Sequence, residues 1–385
     1  ALGAALLIGL LMTKERESPF KGPPVTLLAM FSVWMTVSWL AGLDPAGDYY
    51  QWNKVMKINL MIFVALALLH SKEHIFALCW TAAGSLALLG MKGGIFTIKS
   101  GGSSRVWGPS GSFIEDNNEF ALALVITIPL LRFLQMQLAS RSGRWLMTVS
   151  MLLCAAAAIG SYSRGGLIAI TAMVAFLWWR GKQKIMAALV MVVVGAFMLD
   201  LMPQAWHERM GTIQTYQEDG SAQGRLHAWK NAWGLAFDYP FGVGYDAARQ
   251  ELFNKYSDGN RARAAHSIYF QVLGNHGFVG LTLFVLIWFQ VWRMANQIQR
   301  QARDIPQAQW CVQLASMAQV ALLGYLVGGA FLSLSYFDLP YILMMLVVLT
   351  KVWVTKRAWE TEPAPRLRGL RIPGLAPPQP AQATR

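Results

Sequence analysis

Arg261-Ala-Arg263-Ala-Ala-His266 closes a polar stretch of about sixty residues, from Pro203 to Ala265, and opens directly onto an apolar run over 267–295. A bilayer core of about 30 Å asks for roughly 17–25 apolar residues per helix, so a run of this length beside a long polar loop reads as a chain re-entering a membrane. On either side, further apolar runs recur near 1–12, 25–43, 56–70, 74–91, 120–138, 145–161, 165–180, 185–202, 310–334 and 339–355. Together they make about eleven. Residues are 55% apolar and 14% charged, and the mean hydropathy is +0.37, high for a water-soluble chain of 385 residues. The expectation is an all-α, polytopic transmembrane helical protein with one long, partly helical loop. The first run is too short to cross alone and no initiator methionine precedes Ala1, so about twelve spans are expected in the full chain.

The net charge of +13 is distributed in a way that argues against nucleic acid. Lys14, Arg16 and Lys21, then Lys72, Arg132, Arg141 and Arg144, Arg180, Lys182 and Lys184, Arg293, Arg300 and Arg303, and Lys351, Lys356 and Arg357 fall in alternate connections. By the positive-inside rule these are cytoplasmic, and 44–54, 92–119, 161–164, 203–266 and 333–339 face the periplasm of a bacterial inner membrane. On the same rule, His70, Lys72 and His74 belong to the cytoplasmic topology signal. Cys79, Cys154 and Cys311 lie inside apolar runs without CxxC or Cys/His spacing, so neither a disulfide framework nor a zinc site is expected. The chain divides into an N-terminal bundle over 1–202, a periplasmic loop domain over 203–266, C-terminal helices over 267–358 and a proline-rich, disordered cytoplasmic tail over 359–385.

Polar residues gather on the periplasmic side. The connection before the run at 120 carries Arg105 and ends Glu115-Asp-Asn-Asn-Glu119, where Asn and Asp serve as N-caps. Ser161-Tyr-Ser-Arg164-Gly-Gly166 sits between two runs, and an arginine at that depth either snorkels to water or meets an anion. Arg225, Trp229, Trp233 and Phe237 recur every four residues and so share one helix face, which suits headgroup depth. Asp238-Tyr-Pro-Phe-Gly242-Val-Gly244-Tyr245 is a turn, and its GxG lacks the strand, third glycine and acid of a dinucleotide site. Arg249, Arg261 and Arg263 precede His266, whose unperturbed pKa of about 6.5 lets it accept a proton near neutrality. His276 lies deeper between glycines and reads as structural.

Ser163-Arg164-Gly-Gly, Gly224-Arg225 followed by Trp229, Pro240-Phe-Gly-Val-Gly244, and His266-Ser with Gly277 and Gly280 resemble, in this order, the O-antigen ligase family of the bacterial polysaccharide ligase and polymerase superfamily. Gly111-Ser-Phe-Ile-Glu-Asp-Asn-Asn-Glu-Phe120 also resembles the exosortase-associated O-glycosylation ligase branch. The resemblance implies an inverting GT-C-type glycosyltransferase that moves a glycan from undecaprenyl diphosphate to a hydroxyl of lipid A-core, at the periplasmic face, with no cofactor, ATP or metal. It implies His266 as general base and Arg164 and Arg225 as holders of the diphosphate; Arg105, Tyr245, Arg249, Arg261 and Arg263 are further candidate substrate contacts. Arginine fits the phosphate role because its guanidinium binds oxyanions bidentately and stays charged. Many relatives carry a carboxylate near Asn275; here an amide stands there, so an orienting acid at that position is missing. A positive field from Arg261 and Arg263 is expected to keep His266 neutral. Competing readings are an O-antigen polymerase, a protein O-oligosaccharide ligase, a lipid-linked glycan flippase and a structural scaffold.

Overall fold

The structure, a computed structural model, describes residues 16–181, 195–196, 200, 202–211, 220–257 and 261–361. The expected run at 1–12 and the tail beyond 361 lie outside the described residues, as does most of the run at 185–202. Among the described residues there is no strand. Helices follow one another as α1 (Pro23–Leu40), α2 (Pro45–Leu68), α3 (Lys72–Lys99), α4 (Asn117–Gln137), α5 (Arg141–Gly160) and α6 (Arg164–Arg180). Next come α7 (Gln204–Gly211), α8 (Gly220–Asp238), α9 (Gln250–Tyr256), α10 (Ile268–Ala302), α11 (Gln309–Gly329) and α12 (Asp338–Thr355).

Among the described residues seven helices are long and apolar enough to cross a membrane: α1, α3, α4, α5, α10, α11 with its leading turn, and α12. The chain is a multi-pass helical membrane protein. Two expected spans fall outside that set for local reasons. The first turns of α2 carry Asp48, Lys54 and Lys57, and α6 is 17 residues long.

Short polar side chains start these helices by accepting N–H groups that have no intrahelical partner. Asp44 accepts from Gly47, Ser71 from His74, Asp116 from Asn118, Ser140 from Gly143 and Ser163 from Gly166, at 2.8–3.2 Å. Each such cap contributes about 1 kcal/mol. The core is then set by which helix is apolar all round. Within its best apolar window α4 is 83% buried inside the protein against 33% for α1, which makes α4 the central post and leaves α1 facing outward along most of its surface. Around α4 pack α3, α5, α6 and α11, while α10 packs on α1, α8, α11 and α12.

Near its start α10 is broken. Gly277 has φ 66° and ψ −169°, a combination essentially restricted to glycine. A break inside a membrane is tolerated only if the freed backbone groups find new partners. They do: the Asn275 carbonyl accepts the Val243 and Gly244 N–H groups at 3.0 and 3.2 Å and the Ser38 hydroxyl at 3.0 Å. The His276 carbonyl accepts the Trp34 indole at 2.8 Å. The Pro240–Gly244 turn is therefore a brace across the kink, and a side chain at Gly242 (φ 86°) would strike the Asn275 carbonyl and Ser38. From there the brace reaches α2, where Asp48 accepts the Tyr245 N–H at 2.7 Å and pairs with Arg249 at 3.0 Å.

Candidate active site

The Ser267 hydroxyl accepts the Phe270 N–H and caps α10, so the residue before it must turn away from the helix. His266 does so with φ 42°, a left-handed backbone uncommon outside glycine, in which histidine is several-fold enriched. Its ring is 40% exposed, and Nδ1 lies 4.0 Å from Glu119 Oε1. Glu119, in the first turn of α4, is buried and accepts the Ser333 N–H at 3.4 Å. Its carboxyl also hydrogen-bonds the carboxyl of Asp116, the α4 N-cap, and such a pair needs one proton between its two members. Burial pushes Asp116 up, yet hydrogen bonds from Glu119 and Asn118 outweigh it and hold the group below its ordinary value.

For His266, partial burial first and the Arg225 guanidinium second hold the imidazole below its ordinary 6.5; Arg263 adds to them and Asp116 opposes. The ring is thus neutral at neutral pH and able to take a proton. The positive field expected from Arg261 and Arg263 comes mainly from Arg225 instead, because Arg225 lies on α8 beside the imidazole whereas Arg261 is exposed.

Arg164 opens α6 and is buried, at 9% exposure, so it does not snorkel into water. The turn that delivers it contains a second left-handed non-glycine residue, Tyr162 (φ 63°). Its hydroxyl donates to the Gly102 carbonyl at 2.7 Å, and the Arg105 guanidinium lies 5.7 Å over its ring. Arg105 itself is exposed. Two elements bind this turn to the histidine. The start of α4 touches both, through Asn117 donating to the Ser161 carbonyl at 2.6 Å and through Glu119 facing His266. Segment 331–333 links them indirectly, with Phe331 and Leu332 against Gly165 and Ser333 donating to Glu119, which faces His266.

The row on α8 divides. Four-residue steps overshoot the 3.6-residue turn by about 40° each, so three steps rotate the row by about 120°. Trp229 turns inward, donating to the Ala265 carbonyl at 2.8 Å and stacking on Phe270 at 4.8 Å. Trp233 and Phe237 stay exposed and cluster with Phe278. Trp229 is thereby a strut behind His266, and only the other two retain the interfacial character expected of the row. On the far side of the brace, Arg249 is held among Asp44, Asp48 and Asp246 at 3.8, 3.0 and 3.7 Å. Arg263 donates to the Gly220 carbonyl at 3.0 Å, tying the loop to the start of α8.

Asn275 does not replace an orienting acid. Its amide donates to Tyr336 Oη and the Tyr245 carbonyl at 3.0 and 3.3 Å and accepts the Ala247 N–H at 3.2 Å. His276 is fully buried, with Nδ1 3.0 Å from Ser38 Oγ and Nε2 2.8 Å from Tyr336 Oη. Both ring nitrogens are engaged, in keeping with a structural role. The acid that faces His266 is Glu119, which the sequence offered only as the end of a capping stretch. Its signal was faint: an Asp-x-x-Glu start is a common capping pattern, and nothing local tells that this glutamate is buried.

Beside His266 lies a cavity of about 170 Å³, lined by residues that include Asn231, Tyr245, Arg263, Ala265, Gln271 and Ser333. Among the described residues no three His, Cys, Asp or Glu side chains gather as a metal site, and the three cysteines are buried and form no disulfide.

The span holding Arg164, Arg225 and His266 has a recognisable relationship. Residues 149–285 match the O-antigen ligase family. That match supports the O-antigen ligase and polymerase superfamily and, with it, ligase-type transferase chemistry. Residues 1–139, which include Asp116 and Glu119, match a family of unknown function (DUF5935). No curated protein matches the chain. A chain from a solved peptidoglycan synthase complex that coordinates polymerization and crosslinking aligns with TM-score 0.45 and 17% identity, over 87% of this chain and 97% of that one.

Proposed function

We propose that the protein is an O-antigen ligase: an inverting glycosyltransferase that moves a glycan from undecaprenyl diphosphate to a hydroxyl of lipid A-core, at the periplasmic face of the bacterial inner membrane. The observation that carries this reading is His266, a partly exposed imidazole held neutral beside Arg225 and facing the Asp116–Glu119 pair. In the reaction, His266 takes the proton from the acceptor hydroxyl. The acceptor oxygen attacks the anomeric carbon, the bond from that carbon to the diphosphate oxygen breaks, and the diphosphate leaves with the electron pair. One displacement inverts the centre. Arg164 and Arg225 neutralise the charge that builds on the leaving group, a task suited to guanidinium because it binds oxyanions bidentately and cannot deprotonate. Once protonated, the imidazole is stabilised by the adjacent carboxyl pair, and Glu119 is the group placed to orient it.

The test mixes purified protein in detergent with undecaprenyl-diphosphate glycan and rough lipopolysaccharide, with chelator and without ATP. Transfer that disappears in His266→Ala and is crippled in Arg225→Ala supports the reading, and a requirement for ATP or metal refutes it. Parallel reactions offering a lipid-linked repeat or a protein as acceptor separate a ligase from a polymerase or a protein-glycan ligase.

A further inference from the structure

The cavity beside His266 has an unusual lining. Among the described residues four buried side-chain oxygens have no hydrogen-bond partner, Glu119 Oε2, Asn231 Oδ1, Tyr245 Oη and Ser333 Oγ, and the last three belong to residues that line it. Asn231 is 2% exposed and Tyr245 8%. Buried polar atoms are nearly always paired, because an unmet one costs about 1–3 kcal/mol. Chance would scatter such atoms; here three converge on one small space.

Their chemistry restricts what they could bind. Asn231 Nδ2 donates to the Ala247 carbonyl at 2.9 Å, which fixes the amide so that Oδ1 is the open position. An open carbonyl oxygen requires a donor, so phosphate or carboxylate would set acceptor against acceptor there. The two hydroxyls can donate or accept. A neutral partner carrying several hydroxyls satisfies all three. At about 170 Å³ the cavity is smaller than the roughly 300 Å³ at which drug-sized ligand pockets begin, which suits a single sugar ring. Apolar surface for the face of such a ring comes from Ala228, Ala232 and Phe270, the last stacked on Trp229. Ala264 and Ala265, the two residues that precede His266, line it too, while Ser333 joins it to Glu119.

We infer that Asn231, Tyr245 and Ser333 form the subsite for the sugar ring of the acceptor, holding it by its hydroxyls next to His266. The assignment to the acceptor rests on the proposed ligase reading, in which the base must touch the acceptor and the arginines the diphosphate. A sugar subsite in this cavity stands on the unmet oxygens alone.

The test uses Tyr245→Phe and Ser333→Ala, each of which deletes only the unpartnered oxygen and so leaves the internal hydrogen bonds of the fold intact. Steady-state transfer, varied separately in rough lipopolysaccharide and in donor, is expected to show the acceptor KM rising about 3–10-fold in each variant, with the donor KM unchanged. Unfolding midpoints should equal or exceed the wild type. A second measurement titrates rough lipopolysaccharide into donor-free protein and follows tryptophan fluorescence, with Asn231→Ala as the third variant. Weaker binding in all three variants supports the subsite even if no transfer to lipid A-core is found, in which case the ligase reading alone fails. Unchanged acceptor KM and unchanged binding, or a donor KM that rises instead, overturns the inference while leaving the ligase reading in place.

Discussion

Asn275→Asp introduces the carboxylate that the resemblance to the ligase family leads one to expect at this position, and the hydrogen bonds around it predict damage to the fold rather than better catalysis. Asn275 is 4% exposed, and its amide nitrogen donates to the Tyr245 carbonyl and to Tyr336 Oη. A carboxylate has no hydrogen to give. The Tyr245 carbonyl then faces another acceptor, and Tyr336 must either turn its own hydrogen to the new carboxylate, deserting His276 Nε2, or keep that bond and meet the carboxylate with a lone pair. Two buried acceptors lose their donor in either case, at about 1–3 kcal/mol each. The Tyr245 bond is long at 3.3 Å, which weights its share toward the low end. The total is about 2–4 kcal/mol, well above the 0.5–1.5 kcal/mol of one ordinary bond. Denaturant titration in mixed micelles reads this directly, while the acid limb of the transfer reaction should stay put because no bond of Asn275 reaches His266. A variant of full stability whose acid limb moves would show that residue 275 acts on the base, and would refute the network.

Three further outcomes are expected. His266→Ala should lower transfer about 10²–10⁴-fold, the usual contribution of a general base, while the unfolding midpoint barely moves because the ring is 40% exposed. The pH profile of kcat/KM should fall on the acid side with its midpoint below 6.5, since the imidazole is held below its ordinary value. Arg225→Gln removes a lowering charge and should move the limb to higher pH, whereas Asp116→Asn removes a raising one and should move it to lower pH; shifts in the same direction would contradict the electrostatics. Gly277→Ala should cost about 1–3 kcal/mol for the strained backbone, with its Cβ 3.1 Å from the Pro240 carbonyl adding crowding, measured as a lower unfolding midpoint without a change in the acid limb.

Spans were legible because hydropathy is a local property. The runs near 25–43, 120–138 and 339–355 need only their own length to announce a membrane helix, and α1, α4 and α12 fall where they predict. The cap of α4 was legible for the same reason: Asp116 acts on an N–H group two residues away. The histidine at 266 and the arginines at 164 and 225 stood out because a charge or imidazole at a span boundary is costly enough to need a reason. Glu119 gave no such sign, being indistinguishable in sequence from a solvated first-turn acid. Its burial depends on segment 331–333 folding over α4, about two hundred residues further along. The four-residue row on α8 misled because a helix does not repeat every four residues, and which member turns inward is set by Ala265 and Phe270 on another element. Whether an oxygen such as Asn231 Oδ1 or Tyr245 Oη has a partner is likewise a property of distances between chain-remote groups. Local composition was therefore enough to establish a many-spanned helical protein interrupted by a long polar stretch. Which polar groups meet, and which are left to meet a ligand, was decided by packing, since burial and hydrogen-bond satisfaction exist only between elements.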